Sequence, residues 1–107
     1  MMPYEDFIFR WERIKGLNYI NYYVSDTGLV KNEEGHLMAI DKNRITGYSQ
    51  IGLSVGRGKG KTFRIHRLVA EAFISNPNNY PEINHKDEVR TDNRAKGLDW
   101  CPYNPKL

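Results

Sequence analysis

The sequence predicts a small α+β domain made of twisted antiparallel hairpins, one helix and a short two-stranded unit near the C-terminus. Three observations lead to this prediction. Apolar and polar residues alternate over positions 48–55, which is the two-residue period of a strand. Positions 66–73 instead repeat their apolar residues at helical spacing. A polar loop then leads to Leu98 and Trp100, which return to strand spacing.

The N-terminal part of the chain predicts an extended segment followed by a hairpin. Aromatic residues alternate over positions 7–11, which favours a strand that covers a sheet. Positions 22–25 and 29–31 flank a turn in which Gly28 tolerates a positive φ, an arrangement typical of a β-hairpin. A second glycine-containing turn precedes a short predicted strand, Leu37–Ile40.

The middle of the chain predicts a second hairpin with a glycine-rich turn. Ile51, Leu53 and Val55 are expected on one face of its first strand, and the turn leads into a second strand at 62–65. The turn shares Gly-Lys-Thr with nucleotide-binding loops. The first glycine of that pattern is Val55 here, and a strand rather than a helix follows, so no nucleotide cofactor is expected.

Basic residues are concentrated in this hairpin and its flanks. The whole chain carries 16 basic and 13 acidic residues, for a formal charge of +3. Positions 42–67 contain no acidic residue, and their basic residues are Lys42, Arg44, Arg57, Lys59, Lys61, Arg64 and Arg67. This distribution favours contacts with nucleic-acid phosphates, and a solvated basic loop is the alternative.

The helix is predicted over 66–74 and stops before the Asn/Pro-rich segment 76–81, since proline lacks the amide hydrogen that a helix needs. The C-terminal strands are expected near 83–86 and 97–101. The residues expected to be largely buried are Val24, Ile51, Leu53, Ile65, Leu68, Val69, Ala72, Phe73 and Trp100.

Length and composition predict one compact domain, 1–107, with a modest core. The single cysteine, Cys101, excludes an internal disulfide and suits a reducing cytoplasm. One cysteine and three widely spaced histidines do not predict a structural zinc site. The acidic N-terminus does not match a signal peptide, and no apolar run reaches membrane-spanning length, so no membrane partner is expected.

The polar loop after the helix combines histidine, asparagine and aspartate between two short strands. His85 suits a general base because the unperturbed pKa of histidine lies near neutral. Oxygens from Asn84 and Asp87 are hard ligands suited to Mg²⁺ or Mn²⁺. A turn histidine that only caps its own hairpin is the alternative interpretation of His85. His66 is interpreted as a packed residue at the helix start, with a phosphate contact as its alternative.

A linear pattern of residues joins the helix to the last strand: HRLVAEAF at 66–73, NP at 76–77, NHKD at 84–87, DN at 92–93 and LDW at 98–100. This pattern resembles the C-terminal module of HNH homing-type endonucleases, HRLVAEAF…NP…NHKDG…NN…NLEW. Residues 11–32 are similar to the small DNA-binding module that often precedes that nuclease domain. The resemblance implies a DNA-binding part over about 8–65 and an HNH-like part over 66–107.

The resemblance implies a chain that binds double-stranded DNA and cleaves it with a divalent metal ion. It places His85 as the catalytic base and Asn84 as a metal ligand. Asp87 and Asn104 are expected as further ligands. DNA contacts are expected from Arg44, Arg57, Lys59, Lys61, Arg64, Arg67 and Lys86.

Three positions depart from the family pattern. The glycine after NHKD is Glu88 here, which adds a negative charge where DNA would approach. The middle asparagine of the family, which orients the base, is Gly97, and Asn93 from the loop is its expected catalytic substitute. Only seven residues follow Trp100, and two of them are prolines, so a ββα-metal-like unit lacking most of its last helix is expected.

Three functions remain open from the sequence. The first is an endonuclease or nickase of phage or mobile-element type. The second is a degenerate relative that acts as a DNA-binding accessory or as an inhibitor of another DNA-handling machine. The third is a basic module that binds a protein partner and no nucleic acid, for which binding would be indifferent to salt.

Overall fold

The computed structural model describes residues 10–103 as three small antiparallel sheets packed against one helix. The elements in chain order are β1 (Trp11–Arg13), β2 (Tyr22–Ser25), β3 (Val30–Asn32), β4 (Asp41–Lys42), β5 (Ser49–Gly56), β6 (Lys59–Arg64), α1 (Ile65–Phe73), β7 (Glu82–His85), a 3₁₀ turn (Ala95–Gly97) and β8 (Leu98–Cys101). The predicted α+β class is confirmed. No helix within residues 10–103 is long and apolar enough to cross a membrane.

The first sheet has the order β1-β2-β3, and its second hairpin is the one predicted around Gly28. Ser25 closes the turn, since its hydroxyl oxygen accepts a hydrogen bond from the Leu29 amide at 2.9 Å. The strand predicted over Leu37–Ile40 is wrong: this segment makes an isolated bridge from Leu37 to Lys31 and then leaves the sheet. The predicted entry strand over 7–11 lies partly outside the described residues.

The second sheet has the order β4-β5-β6 and contains the predicted basic hairpin. Ile51 and Leu53 are buried as expected, but Val55 is 36% exposed. The register shifts between Ser54 and Gly56. Because a bulge places an extra residue opposite the partner strand, it interrupts the alternation that put Val55 on the core face. The strand predicted to reach residue 65 ends one residue earlier, where the helix begins.

The helix was predicted to begin one residue later than it does, and its apolar face forms the centre of the core. The buried apolar residues of the core are Ile14, Leu17, Tyr22, Val24, Val30, Ile51, Leu53, Ile65, Leu68, Val69, Ala70, Ile83 and Leu98. Burying a side chain such as Leu68 contributes roughly 1.5–3 kcal/mol to stability.

Ala72, Phe73 and Trp100 were expected in the core but are half-buried. They lie at its rim, where polar groups share their surface. The Arg10 guanidinium carbon lies 5.3 Å from the ring centroid of Phe73. The indole of Trp100 donates a hydrogen bond to the Ile74 carbonyl at 3.0 Å, which keeps one edge of the ring beside the polar end of the helix.

The third sheet is the two-stranded unit expected near the C-terminus, in which β7 and β8 pair antiparallel. Ile83 and His85 are buried, whereas Glu82 and Asn84 project from the other face. This alternation follows from the two-residue period of a strand. It carries His85 into the interior beside the helix start and places Asn84 on the opposite face.

Candidate active site

His85 is the last residue of β7 and is 7% exposed. Its Nε2 lies 3.2 Å from Oδ1 of Asn93, which is also buried. The Asn93 amide nitrogen donates to the Thr91 carbonyl at 3.3 Å, so its oxygen faces the imidazole. Nε2 of His85 therefore carries the hydrogen and donates it, and the lone pair of the neutral ring is on Nδ1. The structure thus brings together the two residues expected to serve as the base and its orienting partner.

The loop that carries Asn93 is held by the turn between β2 and β3. The Ala95 amide donates to the Asp26 carbonyl at 2.7 Å. Gly28 has φ +92°, and a Cβ added there would lie 3.0 Å from the Cβ of Asn93. A glycine is therefore required at position 28 for two reasons, its positive φ and the close approach of Asn93.

Gly28→Ala is expected to lower the free energy of unfolding and to displace Asn93 from His85. Gly35→Ala is the matched control, since Gly35 has φ +88° and a Cβ there meets nothing within 4 Å. The control should lose roughly 1–2 kcal/mol for its left-handed backbone, and Gly28→Ala more. Denaturant unfolding and the NMR signal of the His85 Nε2 hydrogen measure the two effects. Equal losses, with the His85 signal unchanged, would contradict the role of Gly28 in supporting the loop.

An ion pair stiffens the same loop on its outer side. The Arg94 guanidinium donates hydrogen bonds to both carboxylate oxygens of Asp92, at 2.7 and 2.6 Å. These hydrogen bonds hold the pKa of the Asp92 carboxyl well below its usual range. Asp92 and Arg94 flank Asn93 in the chain, so they help to fix the backbone from which the Asn93 side chain reaches His85.

The rings of His66 and Tyr48 form a cluster with the ring of His85. The ring centroid of His66 lies 4.9 Å from that of His85, and Tyr48 lies 4.8 Å from His66 and 5.8 Å from His85. His66 is 6% exposed, so its ring packs at the start of the helix. Burial, followed by the nearby His85, Arg64 and Arg67, lowers the pKa of His66 from 6.5 to about 3. His66 is therefore neutral at physiological pH and adds no positive charge beside His85.

Comparison with known proteins places this geometry in a family. No protein-family model matches the chain. The chain is 37% identical over 95 residues to an uncharacterised HNH endonuclease of Acanthamoeba polyphaga mimivirus, covering 88% of this chain and 27% of that protein. It is 38% identical over 90 residues to the DNA endonuclease I-HmuI of Bacillus phage SP01, covering 84% of this chain and 51% of I-HmuI.

The solved structure of DNA binding and cleavage by the HNH homing endonuclease I-HmuI matches this fold with a TM-score of 0.74. The sequences are 37% identical in that match, which covers 87% of this chain and 52% of the I-HmuI chain. The chain belongs to the HNH homing-type endonuclease family. The resemblance stated from the sequence is thus confirmed. The chain spans about half the length of I-HmuI and about a quarter of the mimivirus protein.

The face of β7 opposite His85 carries a pair of polar residues. Asn84 lies there, directly across from Asp99 on β8. Residues paired in this way have Cβ atoms roughly 4.5–5.5 Å apart. One carboxylate oxygen of Asp99 is buried without a hydrogen-bond partner among the described residues. An amide oxygen beside an unsatisfied carboxylate is a donor set that fits a hard divalent ion. Asp99 was not among the ligands expected from the sequence.

The other expected ligands are placed differently. Asp87 is exposed in the turn after β7, and its Oδ1 accepts a hydrogen bond from the Val89 amide at 3.0 Å. Asn104 lies outside the described residues. Within residues 10–103, no group of three or more His, Cys, Asp or Glu side chains is placed to hold a metal ion. Asn84 and Asp99 are the oxygen donors that the pairing of β7 with β8 places directly opposite each other.

The departure at Glu88 has a backbone consequence. Glu88 has φ +62°, so the turn keeps the left-handed conformation that suits the glycine of the family pattern. A residue with a Cβ adopts this conformation at a cost of roughly 1–2 kcal/mol. Glu88 therefore occupies a left-handed position that a glycine would adopt without this cost, and its side chain is exposed at the surface.

The expected DNA-binding residues fall into separate groups. Arg57, Lys59 and Lys61 are exposed at the tip and in the second strand of the basic hairpin, and Arg44 is exposed in the loop after β4. Lys86 is exposed beyond His85 and donates to the Lys96 carbonyl at 3.4 Å. Arg57 and Lys59 thus lie at the tip of the hairpin, whereas Lys86 directly follows His85 in the chain.

Arg67 is engaged within the protein. It donates to the Pro81 carbonyl at 3.0 Å, and another guanidinium nitrogen lies 3.6 Å from a Glu71 carboxylate oxygen. Arg64 lies over the Tyr48 ring, at 4.7 Å from its centroid. Arg90, which sequence reasoning missed, lies over the same ring at 4.8 Å. Nothing in the local sequence marks Arg90, because it stands in a loop of mixed charge and meets Tyr48 only in the folded chain.

Proposed function

We propose that the chain carries the nuclease site of a divalent-metal-dependent DNA endonuclease or nickase. The observation that supports this proposal most directly is the hydrogen bond from His85 Nε2 to Asn93 Oδ1. It leaves the lone pair on Nδ1, and one fixed tautomer of a neutral imidazole is what a general base requires. The similar proteins are named as endonucleases, and the solved structure of I-HmuI concerns DNA binding and cleavage.

In this proposal, His85 Nδ1 accepts a proton from the water that attacks a phosphodiester phosphorus. The positive charge that forms on the imidazole is stabilised by the Asn93 amide oxygen, which accepts the Nε2 hydrogen. Asn93 is a positioning residue, since it acts through His85. His66 favours the same step by remaining neutral, because a second cation at this distance would oppose protonation of His85.

Asn84 and Asp99 would hold the divalent ion, with Asp87 and Asn104 as further proposed ligands. When bound, Mg²⁺ or Mn²⁺ supplies Lewis-acid stabilisation of the charge that develops on the phosphate and on the leaving oxygen. We expect Mn²⁺ to support the reaction better than Mg²⁺, because Mg²⁺ demands near-ideal octahedral geometry and few protein oxygens are available here.

A second candidate function is a degenerate family member that binds DNA without cutting it, as an accessory or as an inhibitor of another DNA-handling machine. Two departures from the family pattern favour this alternative. Glu88 adds a carboxylate where the family has glycine, and Gly97 lacks the side-chain amide of the family's asparagine. A Cβ at Gly97 would meet only an Asp92 oxygen within 4 Å, at 3.9 Å. Gly97→Asn therefore restores the family residue without a steric conflict.

Nicking of supercoiled plasmid DNA, with Mn²⁺, with Mg²⁺ and with a chelator, separates the two functions. Conversion to open circles with metal alone supports the nuclease. Binding without nicking, together with nicking by Gly97→Asn, supports the degenerate member. A chain that neither binds nor cuts DNA contradicts both functions and favours a protein partner.

The basic hairpin is expected to make phosphate contacts that do not depend on DNA sequence. Replacing Arg57, Lys59 and Lys61 together with alanine should weaken duplex binding and reduce the slope of log affinity against log salt by up to about three. Fluorescence anisotropy at several salt concentrations measures both quantities.

The matched control removes three exposed basic side chains outside the hairpin, those of Arg13, Lys15 and Lys96. Both triple variants lose the same charge, so a difference between them reports location rather than net charge. Unchanged affinity and an unchanged slope in the hairpin variant would remove the hairpin from the DNA interface.

A further inference from the structure

A cavity of about 410 Å³ opens beside the ring cluster, at the start of α1. Its lining includes three arginines, Arg64, Arg67 and Arg90. Among the described residues that line it, Glu82 alone is acidic. Arg67 is neutralised in part by Glu71, outside this cavity, at 3.6 Å. Positive charge therefore predominates in the cavity, and an anion is the ligand that this charge favours.

Tyr48 holds two of these arginines at the cavity wall. The guanidinium carbons of Arg64 and Arg90 lie 4.7 and 4.8 Å from the centroid of its ring. Arg90 also donates a hydrogen bond to the Thr46 carbonyl. A guanidinium positioned by an aromatic face retains donors for a second partner, and its planar fork matches the oxygens of a phosphate.

His66 also lines this cavity, and one of its ring nitrogens is a buried, unsatisfied polar atom. It is 6% exposed, and its Nδ1 has no hydrogen-bond partner among the described residues. A buried polar atom without a partner costs free energy unless a ligand or water satisfies it. A neutral imidazole satisfies such a need by donating an Nδ1 hydrogen to an anionic oxygen.

The backbone at this point also favours an anion. The N-cap residue of α1 is Arg64, which makes no side-chain capping hydrogen bond, and the first turn contains no acidic residue. The first amide groups of the helix are therefore not capped by a side chain, and they carry the positive end of the helix dipole.

We propose that this cavity binds one phosphodiester group of the DNA backbone, held by Arg64, Arg90 and His66. The inference rests on the proposed function for DNA as the source of the phosphate. The bound group lies next to His85, whose ring centroid is 4.9 Å from that of His66. The cavity thereby anchors the DNA strand adjacent to the base, whereas Arg57 and Lys59 lie at the tip of the hairpin.

The test follows the imidazole NMR signals of His66 in the intact chain during two titrations, one with inorganic phosphate and one with a short DNA duplex. In the wild type, both are expected to shift these signals. Combining Arg64→Gln with Arg90→Gln should abolish both shifts, whereas Arg13→Gln, an exposed arginine on β1, should leave them unchanged. Circular dichroism confirms that each variant is folded.

The outcomes separate this inference from the proposed function. Anisotropy shows independently whether DNA binds. DNA binding with no change at His66, or His66 shifts that survive in the double variant, overturns the cavity as a phosphate site. A shift with inorganic phosphate but none with bound DNA overturns DNA as the source. A chain that binds no DNA contradicts the proposed function, while a phosphate shift lost in the double variant would still support an anion site.

Discussion

His85→Ala is expected to reduce metal-dependent plasmid nicking by at least about a hundredfold, because a positioned general base contributes roughly 10²–10⁴ in rate. Asn93→Leu should also reduce nicking strongly, since it removes the acceptor that fixes the His85 tautomer and ring orientation. Initial rates of open-circle formation at saturating Mn²⁺ measure both effects.

The variant Asn93→Asp tests whether Asn93 acts by positioning His85 or only by supporting the structure of its loop. Aspartate keeps an oxygen acceptor for His85 Nε2, so it should retain more activity than leucine. Nicking that persists in His85→Ala would assign the chemistry to another residue, and equal loss in both Asn93 variants would assign Asn93 a structural role only.

Lowering the pH from about 6.5 to about 4.5 is expected to reduce the free energy of unfolding by up to about 3 kcal/mol through His66 alone. Burial lowers the pKa of His66 from 6.5 in the unfolded chain to about 3 in the folded protein. Between these values the unfolded chain binds a proton that the folded protein does not bind. The stability contribution is therefore complete above pH 6.5 and is lost as the pH falls.

Urea denaturation in a buffer without phosphate, at several pH values, measures this dependence. His66→Phe keeps an aromatic ring in the cluster and removes the titrating group, so it should flatten the dependence between pH 6.5 and about 4.5. His36→Phe is the matched control, because His36 is exposed and its replacement should leave the dependence unchanged. An undiminished pH dependence in His66→Phe would show that other groups dominate acid unfolding.

Local patterns were sufficient for much of the fold. The alternation in the first strand of the basic hairpin predicted β5, and the helical spacing after the hairpin predicted α1 to within one residue. Alternation failed at Val55, because a bulge changes the register without changing the run of apolar residues. It failed again at Leu37–Ile40, where apolar residues suit a strand but make only one bridge to a neighbour.

Contacts in the site between residues that are close in the sequence were predictable. Contacts that depend on the pairing of strands or the packing of sheets were not. The expectation that Asn93 would serve His85 matches a contact across one loop. Asp99 faces Asn84 only through the register of β7 and β8, which no spacing in the sequence specifies. Tyr48 and Arg90 meet from two distant segments, so their contact exists only once the sheets have packed.

The close approach of Gly28 to Asn93 also constrains how genes of this kind exchange parts. A hybrid that joins residues 66–103 to a foreign N-terminal segment would inherit the histidine but lose the Asp26 carbonyl that anchors Ala95. It would function only if the donor supplied an equally small residue at the contact. We therefore expect a hybrid chain to keep the site where the β2–β3 turn and the loop around Asn93 come from one parent, although these segments stand far apart in the sequence.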